Sequence, residues 1–243
     1  MSATPATGRT VQSEALVLRS IDYGEADRIV TLLARDLGKL AVIARGARKS
    51  QKRFAGALEP FAVLTAEVAV GRGEVSRLAS ASIRRTFPSI LGNLAKMQAG
   101  GRALELVREA LPSGPVDARL FDACVALFEM LDAADAARDE HELAFTVRLA
   151  ALLGFAPRVD RCARCGAIAP DGKAALFDPR ASSVVCRACG GAPLKLSGAT
   201  RRLLSALGTD GWTELAHTEW PAAARDEVRR VAHGLVASHL VRS

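Results

Sequence analysis

The sequence predicts an α+β chain of several units: a small five-stranded β-barrel first, then an α-helical domain that contains a four-cysteine element. Three observations carry this expectation. Short apolar runs separated by turn residues fill residues 11–83. From Pro88 the apolar spacing changes to the helical period. Two Cys-x2-Cys pairs, Cys162/Cys165 and Cys186/Cys189, then interrupt the helical part. At 243 residues the chain has room for two or three domains, and 49% apolar residues are enough to give each a core. The changes in pattern put boundaries at 1–85, 86–157, 158–196 and 197–243.

The strands come first. Glu14–Arg19 contains the apolar run ALVL. Arg28–Leu33 and Leu40–Ala44 are two further runs, and the stretch between them contains Gly38 and suits a hairpin. Phe61–Val70 follows. Gly71–Glu74 is a turn signal leading into Val75–Ile83. Five short strands in so short a stretch favour closure, because a closed barrel has no exposed edges, and the count fits an OB-fold.

The helices come next. A first helix is expected at about Ile90–Leu111, weakened by Gly100 and Gly101. Leu120, Phe121, Cys124, Leu127, Phe128 and Leu131 form one helical stripe, with Asp117 placed as its N-cap. Cys124 therefore reads as a core residue. Glu142–Leu153 is apolar on most sides and reads as a buried helix ending at Gly154. Ser197 caps a short helix to Leu207. Gly208–Gly211 is a turn, and Pro221 opens a last helix with Val228, Val231, Leu235, Val236 and Leu240 on one face.

The cysteines are spaced C-x2-C-x20-C-x2-C, with Gly166 and Gly190 directly after the pairs. Two intervening residues let both thiolates of a pair converge on one ion, and the glycines permit the tight turn that points N–H groups at sulfur. Four thiolates fill a tetrahedron and leave no position for water. Cys162, Cys165, Cys186 and Cys189 are thus expected to hold one structural zinc ion rather than a catalytic one. Disulfides or free thiols are the other reading. The first ten residues lack a signal-peptide hydrophobic stretch and no apolar run reaches membrane-span length. These features predict a cytoplasmic, reducing setting and no membrane contact.

No Walker loop, H-E-x-x-H, G-x-S-x-G or nucleotide-type glycine fingerprint is present. His141, His217, His233 and His239 are scattered and read as surface residues. Asp135, Asp139, Glu140 and Glu142 read as a solvated acidic face. A binding protein without catalytic activity is the expectation. Charge suggests what it binds. The chain carries +7 overall; residues 1–85 hold +6 and residues 158–196 hold +4, while 86–157 hold −4. Between the third and fourth strands lies RGARKSQKRFAG, with Arg45, Arg48, Lys49, Lys52 and Arg53 and no acid. Such cations neutralise phosphates without reading sequence. Tyr23, Phe54 and Phe61 are the aromatic residues placed to stack on bases, although Phe61, at a strand start, reads as core. Arg158, Arg161, Arg164, Arg180 and Arg187 make the cysteine element a second, weaker basic surface for DNA or a partner.

The stretch EALVLRSIDYGEADRIVTLLARDLGKLAVIARGARKSQKRFAGALEPF resembles the N-terminal region of the RecO family of recombination mediators. The shared features are Gly24–Glu25–Ala26–Asp27–Arg28, then Arg45–Gly46–Ala47–Arg48–Lys49, then Arg53–Phe54–Ala55–Gly56. LGFAPRVDRCARCG, Leu153–Gly166, is similar to that family's helix exit into its zinc element. The resemblance implies an N-terminal OB-fold, a helical C-terminal domain and an inserted zinc element. It implies binding of single- and double-stranded DNA, annealing of complementary strands, and loading of the RecA recombinase with RecR and, in many bacteria, RecF. It also implies contact with the C-terminal tail of single-stranded-DNA-binding protein (SSB), and work at the nucleoid. With it, Arg28 and Lys39 join Arg45, Arg48, Lys49, Lys52 and Arg53 as expected DNA contacts. A zinc-containing RNA-binding or transcription-associated factor, a nuclease and a protein scaffold are the competing readings.

Overall fold

A computed structural model describes residues 9–50, 53, 54, 56–71, 73 and 75–241. The chain divides into two compact units. One holds residues 1–92 and 111–125; the other holds 93–110 and 126–243. No helix among the described residues is long and apolar enough to cross a membrane.

The first unit is built on a closed barrel. Its strands are β1 (Thr10–Tyr23), β2 (Asp27–Ala34), β3 (Gly38–Ala44), β4 (Ala62–Ala69) and β5 (Val75–Thr86). They are ordered β1-β2-β3-β5-β4, with only the β3–β5 pairing parallel. Five strands closed in this way bear out the predicted OB-like barrel. β1 is long because it serves two neighbours. Its first half pairs with β4, from Thr10↔Ala69 to Leu16↔Val63, and its second half with β2, from Ala15↔Ala34 to Tyr23↔Asp27. A register shift between Val17 and Arg19 bends the strand from one partner to the other.

Alternation fills the inside. Val17, Val30, Leu32, Val42, Leu64, Val68 and Leu78 are at most 1% exposed and form one cluster with small residues such as Ala15, Ala34 and Ala44. Each such large side chain contributes about 1.5–3 kcal/mol of burial free energy. Phe54, Ala57 and Leu58, from the segment between β3 and β4, belong to the same cluster. Phe54 is therefore a core residue and does not stack on bases; its ring sits under the Arg53 guanidinium at 5.2 Å. Phe61 is buried as expected but lies just outside β4, in a left-handed turn with φ of 64°.

Gly38 shows how 111–125 joins the barrel. Lys39 and Gly114 exchange backbone hydrogen bonds of 3.0 and 2.7 Å. A Cβ on Gly38 would lie 2.1 Å from the Gly114 carbonyl oxygen, so only glycine fits. Arg35 adds a bidentate ion pair to Asp122, both bonds 3.0 Å.

The helices are α1 (Pro88–Leu91), α2 (Leu94–Ala110), α3 (Ala118–Ala133), α4 (Asp139–Ala150), α5 (Gly198–Leu207), α6 (Trp212–His217) and α7 (Ala222–Leu235). Asp117 caps α3 through the Arg119 N–H at 2.9 Å, and Ser197 caps α5 through the Thr200 N–H at 3.2 Å. Gly100 and Gly101 do not stop α2, because Ala99, Gly100, Ala103 and Leu104 are all buried and packing outweighs propensity. Wide π-type turns, Ala151–Phe155 and Val236–Leu240, extend α4 and α7. They bring Phe155 and His239 into a stack at 4.2 Å.

α4 is the central helix of the second unit, with Leu143, Ala144, Phe145, Val147 and Leu149 buried. Two sequence expectations fail on it. Glu140 is not on a solvated face: it is 2% exposed and accepts from Arg225 at 3.0 Å and the Trp220 N–H at 3.4 Å. His141 is not a surface histidine: it is fully buried, with Nδ1 facing the Arg138 N–H at 3.4 Å. Both sit in the first turn of a helix that is packed on nearly all sides, where a hydrophobicity pattern reads only the polar face. His239 is also half-buried, whereas His217 and His233 are exposed.

Candidate functional site

The cysteines sit on two turns held together by a small sheet. That sheet is ordered β7-β6-β8, with β6 at Ala175–Asp178, β7 at Ser183–Val184 and β8 at Leu194–Leu196. Cys162 donates its N–H to Ala167 O at 2.9 Å, and Gly166 donates back to Cys162 O at 3.0 Å. Across the element, Ala163 donates to Val184 O at 2.9 Å, which places the first turn beside the strand leading to Cys186. The second turn closes with Cys189 and Gly191 both donating to Cys186 O at 3.0 Å. Gly166 and Gly190 have φ of 72° and 98°, the left-handed values this turn needs.

The result brings together all four expected ligands. Their Sγ atoms lie within 4.8 Å of one another, and those of Cys165 and Cys186 are 3.7 Å apart. A tetrahedron with metal–sulfur bonds of about 2.3 Å has edges of about 3.8 Å, so the donor set fits a closed metal site. Two backbone N–H groups face the Cys162 sulfur, from Cys186 at 3.3 Å and Arg164 at 3.4 Å. Such donors favour the thiolate, and they hold the Cys162 thiol down to about 6. Cys124 stands apart, 2% exposed in α3, with its thiol pushed up to about 12 by burial.

Arg201 organises this element, and the sequence reading missed it. It is 5% exposed in α5 and has no carboxylate partner among the described residues. Its five N–H groups instead reach four carbonyls: Val159 at 2.9 and 2.6 Å, Pro170 and Lys173 at 2.7 Å, and Ala169 at 2.8 Å. All five donors of the guanidinium are used. They fix the stretch that leads from Gly166 towards β6. A visible signal was its place one turn before Leu204 on the apolar stripe of α5.

The expected nucleic-acid contacts fall into two groups. Arg45, Arg48, Lys49 and Arg53 are exposed on the loop after β3. Lys52 lies outside the described residues. The loop leans on the β1–β2 hairpin: the Gly46 N–H donates to Asp27 Oδ1 at 2.7 Å and the Arg48 N–H to Ala26 O at 3.0 Å. Arg53 donates to Arg45 O at 2.8 Å, closing the loop on itself. A cavity of about 240 Å³ opens there, lined by Arg48, Lys49 and Ser50 among others. Arg28 also lines it but is half-buried and bound to Glu59 at 2.6 Å and Asp22 at 3.0 Å. Its hydrogen bond to Glu59 chiefly raises its pKa. Lys39 is not brought to this loop. It lies at the other end of β3, roughly 20 Å away at about 3.3 Å per residue, and its Nζ donates to Leu111 O.

Comparison with known proteins divides the chain as the barrel does. A family model described as "Recombination protein O N terminal" matches residues 9–87, and "Recombination protein O C terminal" matches 91–243. The "DNA repair protein RecO" of Anaeromyxobacter dehalogenans (strain 2CP-C) is 39% identical over 236 residues, covering 96% of this chain and 92% of the relative. That of Geobacter sulfurreducens is 39% identical over 233 residues, covering 96% and 93%. That of Myxococcus xanthus is 38% identical over 229 residues, covering 94% and 92%. Matched in both halves and along nearly its whole length, this chain belongs to the RecO family.

Proposed function

We propose that this protein is a recombination mediator in DNA repair that makes and breaks no bond itself. It binds single- and double-stranded DNA by phosphates, anneals complementary strands and, with RecR and RecF, helps load RecA onto SSB-coated DNA. The observation that carries the reading is the exposed cationic loop Arg45–Arg53 at one end of the barrel, in a chain of this family. Its described cations, Arg45, Arg48, Lys49 and Arg53, are spaced along the loop rather than aimed at one point, which suits a polyanion backbone.

In this reading the helical unit contacts the C-terminal tail of SSB, raising the local concentration of barrel over the coated strand. RecR then completes the loading platform, and the protein acts in the cytoplasm at the nucleoid. The metal of the four cysteines is one zinc ion, and its role is structural. The four thiolates and their N–H donors support that choice, since zinc accepts four sulfurs in a tetrahedron.

Annealing of complementary strands coated with SSB tests the proposal. The protein should speed annealing, and replacing Arg48, Lys49, Lys52 and Arg53 with Ala should remove most of that gain. Equal rates with and without the protein would sink it. An RNA competitor that displaces DNA at equal concentration would favour an RNA-binding factor instead.

A further inference from the structure

The four sulfurs of the cysteine element are not equivalent. Cys162 is buried, and its sulfur faces the N–H groups of Cys186 and Arg164 at 3.3 and 3.4 Å. Cys165 is exposed, and among the described residues no backbone N–H faces its sulfur. Cys186 and Cys189 are half-buried. The Cys165 sulfur lies 3.7 Å from that of Cys186, which sits on the other turn. Two hydrogen bonds hold the turns in this arrangement. Ala163 donates to Val184 O at 2.9 Å, and Arg164 Nη1 donates to Cys189 O at 2.5 Å.

Chemistry separates the sulfurs further. Binding to a metal keeps all four as thiolates. A sulfur that accepts N–H bonds has charge drawn from it and is a poorer nucleophile, whereas a bare, exposed thiolate meets an oxidant first. Exposed Arg164 and Arg187 directly adjoin Cys165 and Cys186 in the chain, so both sulfurs sit in positive surroundings, the setting of reactive cysteines. Cys186 also lines an open cavity of about 270 Å³, with Ile168, Leu176 and Val185, which is ample for a small oxidant. We infer that Cys165 is a reversible oxidation site, which a hydroperoxide converts to a Cys165–Cys186 disulfide with loss of the metal. This rests on the zinc ion of the proposed function and goes beyond it.

The step balances with hydrogen peroxide as the oxidant. The Cys165 thiolate attacks one peroxide oxygen; an S–O bond forms, the O–O bond breaks and hydroxide leaves. Sulfur gives up two electrons and the peroxide takes them. The Cys186 thiolate then attacks the Cys165 sulfur; the S–S bond forms, the S–O bond breaks and a second hydroxide leaves. Solvent protons turn both hydroxides to water. Cys162 and Cys189 are then too few to retain an ion that needs four ligands. The disulfide joins the same two turns that the ion joined, so the element stays tied. A dithiol reductant breaks the S–S bond by exchange and restores the donor set.

The test treats the full, zinc-loaded chain with one equivalent of hydrogen peroxide. Released zinc is read with a colorimetric chelator, free thiols are counted, and disulfides are mapped by peptide mass spectrometry. Zinc should leave as two thiols are lost, so that three of the five cysteines stay free, and the mapped bridge should be Cys165–Cys186. A dithiol with added Zn2+ should return the thiols and the metal. Cys165→His, which keeps a fourth donor for zinc, should release the ion at least about tenfold more slowly. Cys189→His should release it within about twofold of the wild-type rate and form the same bridge. The wild-type bridge decides the matter even if Cys165→His holds no zinc. A Cys162–Cys165 or Cys186–Cys189 bridge, or equal release by Cys165→His and wild type, would overturn this inference. Zinc and all thiols kept in peroxide would overturn it too and leave the zinc assignment standing. Protein without zinc before treatment would overturn the zinc assignment with it.

Discussion

The exposed arginines of the cationic loop and the buried Arg201 of α5, which holds the cysteine element, use the guanidinium group in opposite ways. In the loop, backbone groups satisfy one another and the hairpin, leaving Arg45 and Lys49 turned to solvent, while Arg48, also exposed, rests against Asp22 at 3.6 Å. In the cysteine element the backbone is not self-sufficient: four of its carbonyls are satisfied by the buried Arg201, and two of its N–H groups by the Cys162 sulfur. A positive charge therefore faces solvent in one region and is a structural part in the other. Charge count alone does not separate the two; burial and partner type do.

The sharpest way to break this comparison is to remove the metal. Chelation at neutral pH, or Cys165→Ser, should cost at least about 5 kcal/mol, or about 15 °C in Tm. DNA binding by the loop should survive in the temperature range where the barrel stays folded. A melt that chelator leaves unmoved, in protein with little bound zinc, would show that the thiols need no ion.

Next in size is Arg201→Ala. It leaves the carbonyls of Val159, Ala169, Pro170 and Lys173 without their donor, at a cost of about 3–4 kcal/mol in a urea melt. Arg201→Lys should recover only part, because an ammonium has three donors and no fork. A cost below about 1 kcal/mol would mean that Arg201 merely occupies space.

His141 should give an effect of up to about 3 kcal/mol that appears only in acid. Burial, helped by Arg138 and His217, lowers its pKa from 6.5 to about 4. The unfolded chain binds a proton at this residue below pH 6.5, and the folded chain does not until near pH 4. Stability is therefore complete above pH 6.5 and is lost as pH falls towards 4. His141→Gln should flatten that slope, read as the urea midpoint against pH; an unchanged slope would place the acid sensitivity elsewhere.

The smallest effect on stability belongs to the loop. Replacing Arg48, Lys49, Lys52 and Arg53 with Ala should move Tm by no more than about 2 °C. If five phosphates are neutralised, the slope of log K against log salt for a single strand should flatten from about −3.5 to about −0.7. A steep slope in the variant would assign the phosphate contacts to other cations.

The parts of this molecule that are local in sequence were legible before the structure. Cys162 and Cys165 must meet because two residues separate them, and the strand runs place Val30, Leu32 and Val42 inside by alternation alone. What escaped was set by distant partners. Phe54 looked like a loop aromatic because the residues that enclose it lie on other strands. Arg201 went unnoticed and Glu140 read as a surface charge because their partners are 28 or more positions away. Lys39 joined the DNA contacts through resemblance, and only the Leu111–Gly114 segment explains its engaged ammonium. α6, six residues long, is too short for a period to show.

The hydrogen bonds between Lys39 and Gly114 also have a meaning in time. During synthesis the five strands emerge before residues 111–125 do, with α2 made between them. The nascent barrel therefore holds the Lys39 backbone and the Arg35 guanidinium without their partners until that segment arrives. A fragment stopped at Gly92 would lack those bonds permanently and should melt below the whole unit. The two halves of the protein are interleaved along the chain, and no single cut yields both intact.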